Sequence, residues 1–421
     1  MVQGTAVAAP TESSVRGDAT GVTPPTDGPP AVASHASETV RIGTSAVPPW
    51  GRGLGWGGVV GLIYLLICAV SIISRGFSGL SGDAAHGLFD FAQNPWVGLM
   101  VGVLATVLIQ SSTTTTAITV TAVGAGALPL TSAVPILFGA NVGTTVTTTL
   151  IALGYIRNRV EYRRALEASS IHDFYNWLAL LVFFPIELAR QPLQRASGAL
   201  TDALYGTAWL PDPAEFNIMR TLTRPVVNAA AGATSPLDGA VGPLVLIVVG
   251  AGLIFVAVKY LSKLLKLLMV GRARDMLTRA AGRNPAAALV TGLGVTVVTQ
   301  SSTITTSVLV PFAGAGLLST KQLYPITVGA NLGTTFTTVF AAFAIVGADA
   351  RIGLQAALVH LLYNIGSLVV VYVFPLLRPV PLWCSEWLAR VATDRKWVIA
   401  VYLLGFFILM PALVIVLVGV L

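Results

Sequence analysis

The sequence predicts an all-α polytopic membrane protein built from two inverted-topology repeats, each with a re-entrant helical hairpin and an interrupted helix. Three observations carry this prediction. First, 54% of the 421 residues are hydrophobic and only 10% are charged, whereas soluble domains carry about 25% charged residues. Second, several motifs recur at a constant distance along the chain. Third, basic residues alternate between the equivalent loops of the two copies.

Composition identifies lipid as the solvent of most of the chain. Several apolar runs of about 20 residues match the hydrocarbon thickness of a bilayer. The formal charge of +7 does not indicate nucleic-acid binding, because the basic residues lie at the ends of apolar runs. Cys68 and Cys384 are the only cysteines. Cys68 lies within an apolar run, so neither a disulfide framework nor a cysteine metal site is expected.

Residues 1–50 differ from the rest of the chain. They are rich in Ala, Thr, Ser, Pro and Gly and contain no long apolar run. Such a composition cannot bury enough apolar surface to fold and predicts a disordered tail. No apolar segment follows a basic start, so a secretory signal is not expected there.

Several short motifs occur twice, in the same order and mostly 190 residues apart. The pairs at this spacing include 94–95 with 284–285, 110–113 with 300–303, 139–148 with 329–338, and 184–185 with 374–375. His172 and Asn176 recur as His360 and Asn364, 188 residues later. One register kept over so many matches predicts two copies. They are repeat 1 at 54–190 and repeat 2 at 243–380, with an extracellular linker at 191–242 and a last transmembrane helix at 397–421.

The basic residues predict that the two copies face opposite ways. The segment 75–95 holds only Arg75, whereas its counterpart 261–284 holds six basic residues. The loop 155–165 holds four arginines, whereas its counterpart near 347–352 holds only Arg351. Positively charged loops stay inside the cell. The alternation therefore indicates inverted topology, which is typical of secondary transporters with a site near the midplane.

This pattern predicts a specific topology. The N-terminus and the 155–165 loop are cytoplasmic, the 190–242 linker is outside, and the 261–284 and 376–396 loops are inside. This topology is consistent if each copy has three crossings and one segment that enters the membrane and returns to the same side. The returning segments are 97–124 and 287–316. With the last helix there are seven crossings, and Leu421 lies outside. The alternative is that 97–124 crosses the bilayer, which would place four arginines outside.

The polar clusters in the two copies are candidate binding sites. Gln110 is followed by six consecutive hydroxyl residues, Ser111 to Thr116, inside an apolar segment. The alternative is that Ser and Thr only form hydrogen bonds to helix carbonyls or to a neighbouring helix. A buried glutamine amide costs several kcal/mol unless it is satisfied. Two clusters in repeat register, each led by Gln, therefore favour a ligand.

The GANVGTT and GANLGTT segments are the second candidate. Gly permits unwinding, which would expose carbonyls to a cation and a helix N-terminus to an anion. Asn141 and Asn331 would then be cation ligands. The alternative is close helix packing through the small residues.

The distribution of charged residues limits which ligands the polar clusters can bind. No charged residue occurs from Trp96 to Leu153, and only Lys321 occurs from Pro285 to Val346. A metal enzyme would need carboxylates or imidazoles there. Hydroxyls, amides and backbone oxygens instead suit sodium, and they also donate hydrogen bonds to an oxyanion. A cation beside the anion would favour its binding, which is the thermodynamic basis of symport.

One acid, Asp173, lies within the apolar run that follows the 155–165 loop. An ionisable residue in a membrane segment is a functional candidate, and we expect Asp173 to be a sodium ligand. The alternative is an ion pair or hydrogen bond with a nearby arginine. Its counterpart in repeat 2 is Leu361. The paired His172 and His360 favour structural hydrogen bonds over a proton relay.

The segments QSSTTTT, GANVGTTVTT, QSSTITTS, GANLGTTFTT and LLYNIGSLVVVYVFP resemble the type II sodium-phosphate cotransporter family, over about 54–421. The resemblance implies sodium-driven uptake of inorganic phosphate. It implies that Asp173 marks an electrogenic member. The residues that it implies as sodium ligands are Gln300, Ser301, Thr334 and Thr337. The residues that it implies as phosphate or sodium contacts are Gln110, Ser111, Ser112, Thr113, Ser301, Ser302 and Thr303.

The sequence thus predicts an electrogenic symporter of sodium and inorganic phosphate that works by alternating access in the plasma membrane, without a cofactor. The alternative is a cation- or proton-coupled symporter of another small oxyanion. A channel fits less well, because closed hairpins suit occlusion. A serine hydrolase would use Ser112, His172 and Asp173. Adjacent residues on a helix point about 100° apart, so this triad is not expected, and the protein is predicted not to be an enzyme.

Overall fold

The computed structural model describes residues 49–80, 89–204, 218–281, 284–345 and 350–419. Residues 46–421 belong to one unit by their contacts. The disordered tail predicted for residues 1–50 lies outside the described residues, except for its last two. All regular structure within the described ranges is helical, which confirms the predicted all-α class.

The first half of the chain contains seven α-helices within the described ranges. They are α1 (Pro49–Gly79), α2 (Pro95–Ile109), α3 (Ser112–Gly124), α4 (Leu130–Gly143), α5 (Val146–Leu153), α6 (Arg159–Arg190) and α7 (Pro192–Leu204). A 3-10 turn, Asp90–Gln93, precedes α2.

The second half contains a similar series of helices. They are α8 (Ile218–Thr234), α9 (Val241–Ala281), α10 (Pro285–Thr299), α11 (Ser302–Gly314), α12 (Thr320–Phe343), α13 (Ala350–Ser367), α14 (Val380–Asp394), α15 (Trp397–Leu404) and α16 (Met410–Gly419). A π-helical turn, Leu368–Val373, extends α13, and another, Gly405–Leu409, joins α15 to α16.

Six helical segments among the described residues are long and apolar enough to cross a bilayer. They are Gly53–Gly79, Leu130–Leu153, Val241–Leu268, Thr320–Phe343, Ala350–Val373 and Trp397–Val418. The charge pattern predicts seven crossings. Helix α6 is the candidate for the seventh, because its 32 residues extend about 48 Å. It is more polar than the other six, since it carries Asp173 and Glu187.

The two Gln-Ser sequences form equivalent turns between two helices. Gln110 ends α2 with φ 57°, and Gln300 ends α10 with φ 53°. A left-handed residue at this position stops a helix. The side chain of Ser111 then accepts a hydrogen bond from the backbone N–H of Thr114, 3.2 Å away, and caps α3. Ser301 caps α11 in the same way. Each turn therefore separates two short helices.

The two copies differ at the place where an interrupted helix is predicted. In the first copy, α4 ends at Gly143 and α5 begins at Val146, and the residues between them keep right-handed dihedral angles. In the second copy, α12 runs without a break from Thr320 to Phe343. The predicted unwinding of GANLGTT is therefore wrong, and the alternative of close helix packing is correct there.

Close approach of two helix backbones explains these glycines. A Cβ atom at Gly329 would lie 2.0 Å from the carbonyl oxygen of Leu289 on α10. A Cβ atom at Gly139 would lie 2.0 Å from the carbonyl oxygen of Leu99 on α2. Only glycine allows this contact, so α10 packs closely along α12 and α2 packs closely along α4.

Candidate functional site

The two Gln-Ser-Ser-Thr segments meet at one cavity. The cavity has a volume of about 430 Å³. Residues 110–114 line one side of it and residues 300–303 line another. Both segments include the first turn of a helix, α3 or α11, where backbone N–H groups have no partner within the helix. The structure therefore brings together seven of the predicted contacts and Gln300, although they are about half the chain apart.

The first polar turn, residues 110–113, is held by side-chain hydrogen bonds. The hydroxyl of Thr147 donates to Oε1 of Gln110 over 2.8 Å. The hydroxyls of Ser112 and Thr144 lie 2.8 Å apart and share a hydrogen bond. Because of these bonds, α3 is tied to the junction between α4 and α5. Gln110 is exposed in this structure, and its amide oxygen still has a hydrogen-bond partner in Thr147.

The second polar turn, residues 300–303, has fewer side-chain hydrogen bonds to its surroundings. The hydroxyls of Thr296 and Thr305 lie 2.8 Å apart, so α10 and α11 are joined across the turn. The hydroxyl of Thr334 donates to the carbonyl oxygen of Asn331. The hydroxyl of Thr337 is buried and has no hydrogen-bond partner among the described residues. A buried hydroxyl without a partner costs free energy unless a ligand supplies the bond.

Asp173 lies outside this cavity, in a pocket of hydroxyl groups. Thr149 donates to its Oδ2 over 3.2 Å, and Tyr402 donates to the same atom over 3.1 Å. Its Oδ1 atom is buried and has no partner among the described residues. The described ion pairs do not include Asp173, so the alternative of an arginine partner is wrong. Its Oδ1 atom therefore remains available to a cation.

The two predicted asparagine ligands lie in a buried network with two histidines. Nε2 of His172 donates to Oδ1 of Asn331 over 3.0 Å. Nε2 of His360 donates to Oδ1 of Asn141 over 3.3 Å. Each bond joins a histidine of one sequence copy to an asparagine of the other. The expectation of structural histidines is consistent with these contacts.

Two more asparagines complete the network. Nδ2 of Asn331 donates to Oδ1 of Asn176 over 2.8 Å and to Oδ1 of Asn364 over 2.9 Å. Nδ2 of Asn141 donates to Oδ1 of Asn364 over 3.0 Å. Neither Asn141 nor Asn331 is among the residues that line the 430 Å³ cavity. The network therefore joins helices α4, α6, α12 and α13.

A hydrolase triad is not assembled. Ser112 bonds Thr144, and Nε2 of His172 bonds Asn331. Nδ1 of His172 has no partner in the described part of the chain. Neither nitrogen of the histidine thus contacts Ser112 or Asp173, and a nucleophile and its base need such contact.

Sequence reasoning missed two residues of these sites. Lys259 on α9 lines the cavity, although the charge count indicated no nearby cation for an anion. It falls in the last part of an apolar run, where an ionisable residue is a functional signal. Tyr402 contacts Asp173 from α15. No motif in the sequence marks Tyr402, because the contact spans 229 residues.

Comparison with known proteins agrees with the resemblance noted in the motifs. Residues 65–204 and 253–415 match the family described as Na+/Pi-cotransporter. The chain belongs to this family. Its members are transporters rather than enzymes, which confirms that prediction. No solved structure matches the chain at a significant level.

Several curated relatives of this Na+/Pi-cotransporter family member carry transport names. Sodium-dependent phosphate transport protein 2B of Homo sapiens is 29% identical over 84% of this chain and 64% of its own length. Sodium-dependent phosphate transport protein 2A of Rattus norvegicus is 30% identical over 85% of this chain and 66% of its own length. The same protein of Oryctolagus cuniculus is 30% identical. The chain thus spans slightly less than two thirds of these relatives.

Proposed function

We propose that the protein is a symporter that moves sodium and inorganic phosphate into the cell by alternating access. The observation that carries this proposal is the convergence of both Gln-Ser-Ser-Thr segments on one cavity. Each segment contributes the N-terminus of a 13-residue helix. Free N–H groups and the positive end of the helix dipole favour an oxyanion at such a place. The names of the relatives and the family support phosphate as that oxyanion.

The phosphate contacts in this proposal are the polar atoms of the two turns. Serine and threonine hydroxyls and glutamine amides donate hydrogen bonds to phosphate oxygens. The residues that supply them are Gln110, Ser111, Ser112, Thr113, Ser301, Ser302 and Thr303. Together they surround the anion from two sides, and a cation nearby lowers the cost of its charge.

One sodium ion would bind at the second polar turn. Its ligands would be Gln300, Ser301, Thr334 and Thr337. The support for this assignment is the buried hydroxyl of Thr337, which has no hydrogen-bond partner in the described ranges. Its oxygen would coordinate the sodium ion. Oxygen ligands of this kind suit a hard monovalent cation.

A second sodium ion would bind at Asp173. The free Oδ1 atom and the hydroxyls of Thr149 and Tyr402 supply oxygens there. Sodium would occupy the Asp173 carboxylate during only part of the transport cycle. Net charge would then move across the membrane in each cycle, so we infer electrogenic transport. For Asn141 and Asn331, the bonds to histidine favour support of the sodium-binding helices over direct ligation.

The proposed architecture is two inverted repeats with seven crossings and two re-entrant hairpins. The Thr296–Thr305 bond across the second turn supports a hairpin. Two ion pairs support the proposed sides of the membrane. Arg159 pairs with Asp394, which joins the two loops proposed to be cytoplasmic. Arg351 pairs with Asp202, which joins two segments proposed to be outside.

Uptake of radiolabelled phosphate by proteoliposomes tests the function. We expect uptake that requires an inward sodium gradient and stops when choline replaces sodium. Uptake that persists in choline but follows a pH gradient would favour the proton-coupled alternative. Competition by sulfate and arsenate tests which oxyanion is transported. If the true substrate were sulfate, sulfate would inhibit the uptake of labelled phosphate at a concentration far below that of the phosphate.

Labelling of introduced cysteines tests the topology in right-side-out and inside-out vesicles. A cysteine at Asn158 should react only from the cytoplasmic side, and a cysteine at Asp238 only from outside. Replacement of Cys68 and Cys384 by serine removes background labelling. Reaction of both positions from the same side would contradict the proposed arrangement.

A further inference from the structure

The cavity has a third wall, which neither sequence copy of the Gln-Ser-Ser-Thr motif supplies. Helix α9 contributes Phe255, Val258, Lys259 and Ser262 to it. Their spacing of three and four residues places them on one face of the helix. Among the described lining residues, Lys259 is the only charged one.

The ammonium group of Lys259 has no carboxylate partner in the described part of the chain. The ion pairs found there join Arg159 to Asp394 and Arg351 to Asp202. The Nζ atom instead lies 5.3 Å from the centre of the Phe255 ring. A cation over an aromatic face is attracted without losing its charge. The contact therefore holds the ammonium at the cavity and leaves it free to attract an anion.

We propose that Lys259 positions the phosphate anion by attracting it into the cavity between the two polar turns. The proposal rests on phosphate as the substrate. Hydroxyls and amides give the site its hydrogen bonds but no net charge, and Lys259 supplies the fixed positive charge. A cleft with charge of one sign raises the local concentration of the opposite ion. The effect should therefore appear in the concentration of phosphate that half-saturates transport.

Lysines near the end of a membrane span commonly extend toward the membrane surface without any specific role, and the apolar span Val241–Leu268 supplies a control of that kind. Lys263 lies one turn further along α9 and, like Lys259, is exposed, but it does not line the cavity. Lys259→Gln and Lys263→Gln remove the same charge at positions about 6 Å apart along the helix axis. An effect confined to Lys259 would therefore point to the cavity, which only Lys259 lines.

The test measures sodium-driven phosphate uptake by the full chain in proteoliposomes. For Lys259→Gln we expect the KM for phosphate to rise about tenfold, which corresponds to about 1.4 kcal/mol, with nearly unchanged maximal rate and sodium dependence. Lys259→Arg keeps the charge and should restore most of the affinity. Lys263→Gln should match the wild type. At constant sodium, added choline chloride should raise the KM of the wild type but not that of Lys259→Gln, because salt screens the charge.

Several outcomes would overturn the proposal. An unchanged KM in Lys259→Gln would show that the charge is not used. An equal change in Lys263→Gln would indicate a general surface-charge effect. A lower maximal rate at constant KM, or failure of arginine to rescue, would indicate a packing role. Absence of sodium-dependent phosphate uptake in the wild type would instead refute the proposed function.

Discussion

The two polar turns share a backbone and differ in their side-chain contacts. Both have a left-handed glutamine followed by a serine cap. At the first turn, Thr147 donates to Gln110. At the second, the equivalent Thr337 has no partner among the described residues. One repeated motif thus produces two turns with different side-chain hydrogen bonding. Thr337, whose hydroxyl lacks a partner among the described residues, is the residue that we propose as a sodium ligand.

The surroundings of the two histidines differ in a similar way. Nδ1 of His360 accepts a hydrogen bond from Thr338 over 3.2 Å, and Thr338 also bonds Thr116. Nδ1 of His172 has no partner in the described ranges, and Asp173 beside it replaces the Leu361 of the second copy. The first copy thus carries an acid site that the second copy lacks. The two copies therefore present different polar side chains on equivalent helices.

The first prediction concerns the close contact between two helix backbones that both copies contain, and it has the largest effect on stability. Gly329→Leu and Gly139→Leu each place a side chain where a Cβ atom already meets a carbonyl oxygen at 2.0 Å. We expect each to lower the free energy of unfolding by about 3 kcal/mol, measured by thermal unfolding in detergent. Gly294→Leu is the control, since its Cβ atom would meet nothing within 4 Å. Tolerance of one leucine but not the other would show that the two contacts are not equivalent.

The second prediction removes the acid that distinguishes the first copy. Asp173→Leu gives the first copy the residue of the second. We expect phosphate uptake to become electroneutral or to fall by at least about tenfold, because one sodium site is lost. Currents evoked by phosphate and tracer uptake measure the two outcomes. Tyr402→Phe removes only one hydrogen bond to Asp173 and should have a smaller effect. Unaltered currents in Asp173→Leu would remove the acid from the mechanism.

The third prediction compares the two polar turns directly. Thr337→Val removes a proposed sodium ligand, and we expect the sodium concentration for half-maximal uptake to rise about fivefold, as for the loss of about 1 kcal/mol. Thr147→Val removes a hydrogen bond to Gln110 and should leave that sodium concentration within about twofold. The measurement is phosphate uptake as a function of sodium. Equal sodium responses in the two variants would contradict the assignment of the ion to the second turn.

The smallest effect concerns the hydroxyl pair within the second turn. Thr305→Val leaves Thr296 buried without its partner, and we expect a loss of about 1 kcal/mol in unfolding free energy. Replacing both threonines by valine should restore most of it, because no unpaired hydroxyl then remains. In the first copy, the hydroxyl of Thr106 already lacks a partner among the described residues, so Thr106→Val should cost nothing. A loss of stability in Thr106→Val equal to that in Thr305→Val would show that the turns do not differ here.

Features that depend on composition, or on neighbours within about one helical turn, could be predicted from the amino-acid sequence. Low charge and long apolar runs determined the helical membrane class. Asn94 accepts a hydrogen bond from Trp96 N–H over 3.0 Å, and Asn284 caps the equivalent helix from Ala287. These caps and the Gln-Ser turns recur in both copies because their partners lie two to four residues away. Each is therefore visible as a short motif.

The contacts between groups that are distant in sequence became visible only in the folded chain. The fold joined His172 to Asn331 across 159 residues and Tyr402 to Asp173 across 229. It also placed Lys259 beside two motifs on other helices, and it kept α12 continuous because its glycines pack against α10 rather than unwind. These outcomes depend on how helix faces pack. Residue type and spacing along one chain do not specify that packing, since a glycine that permits unwinding equally permits close contact.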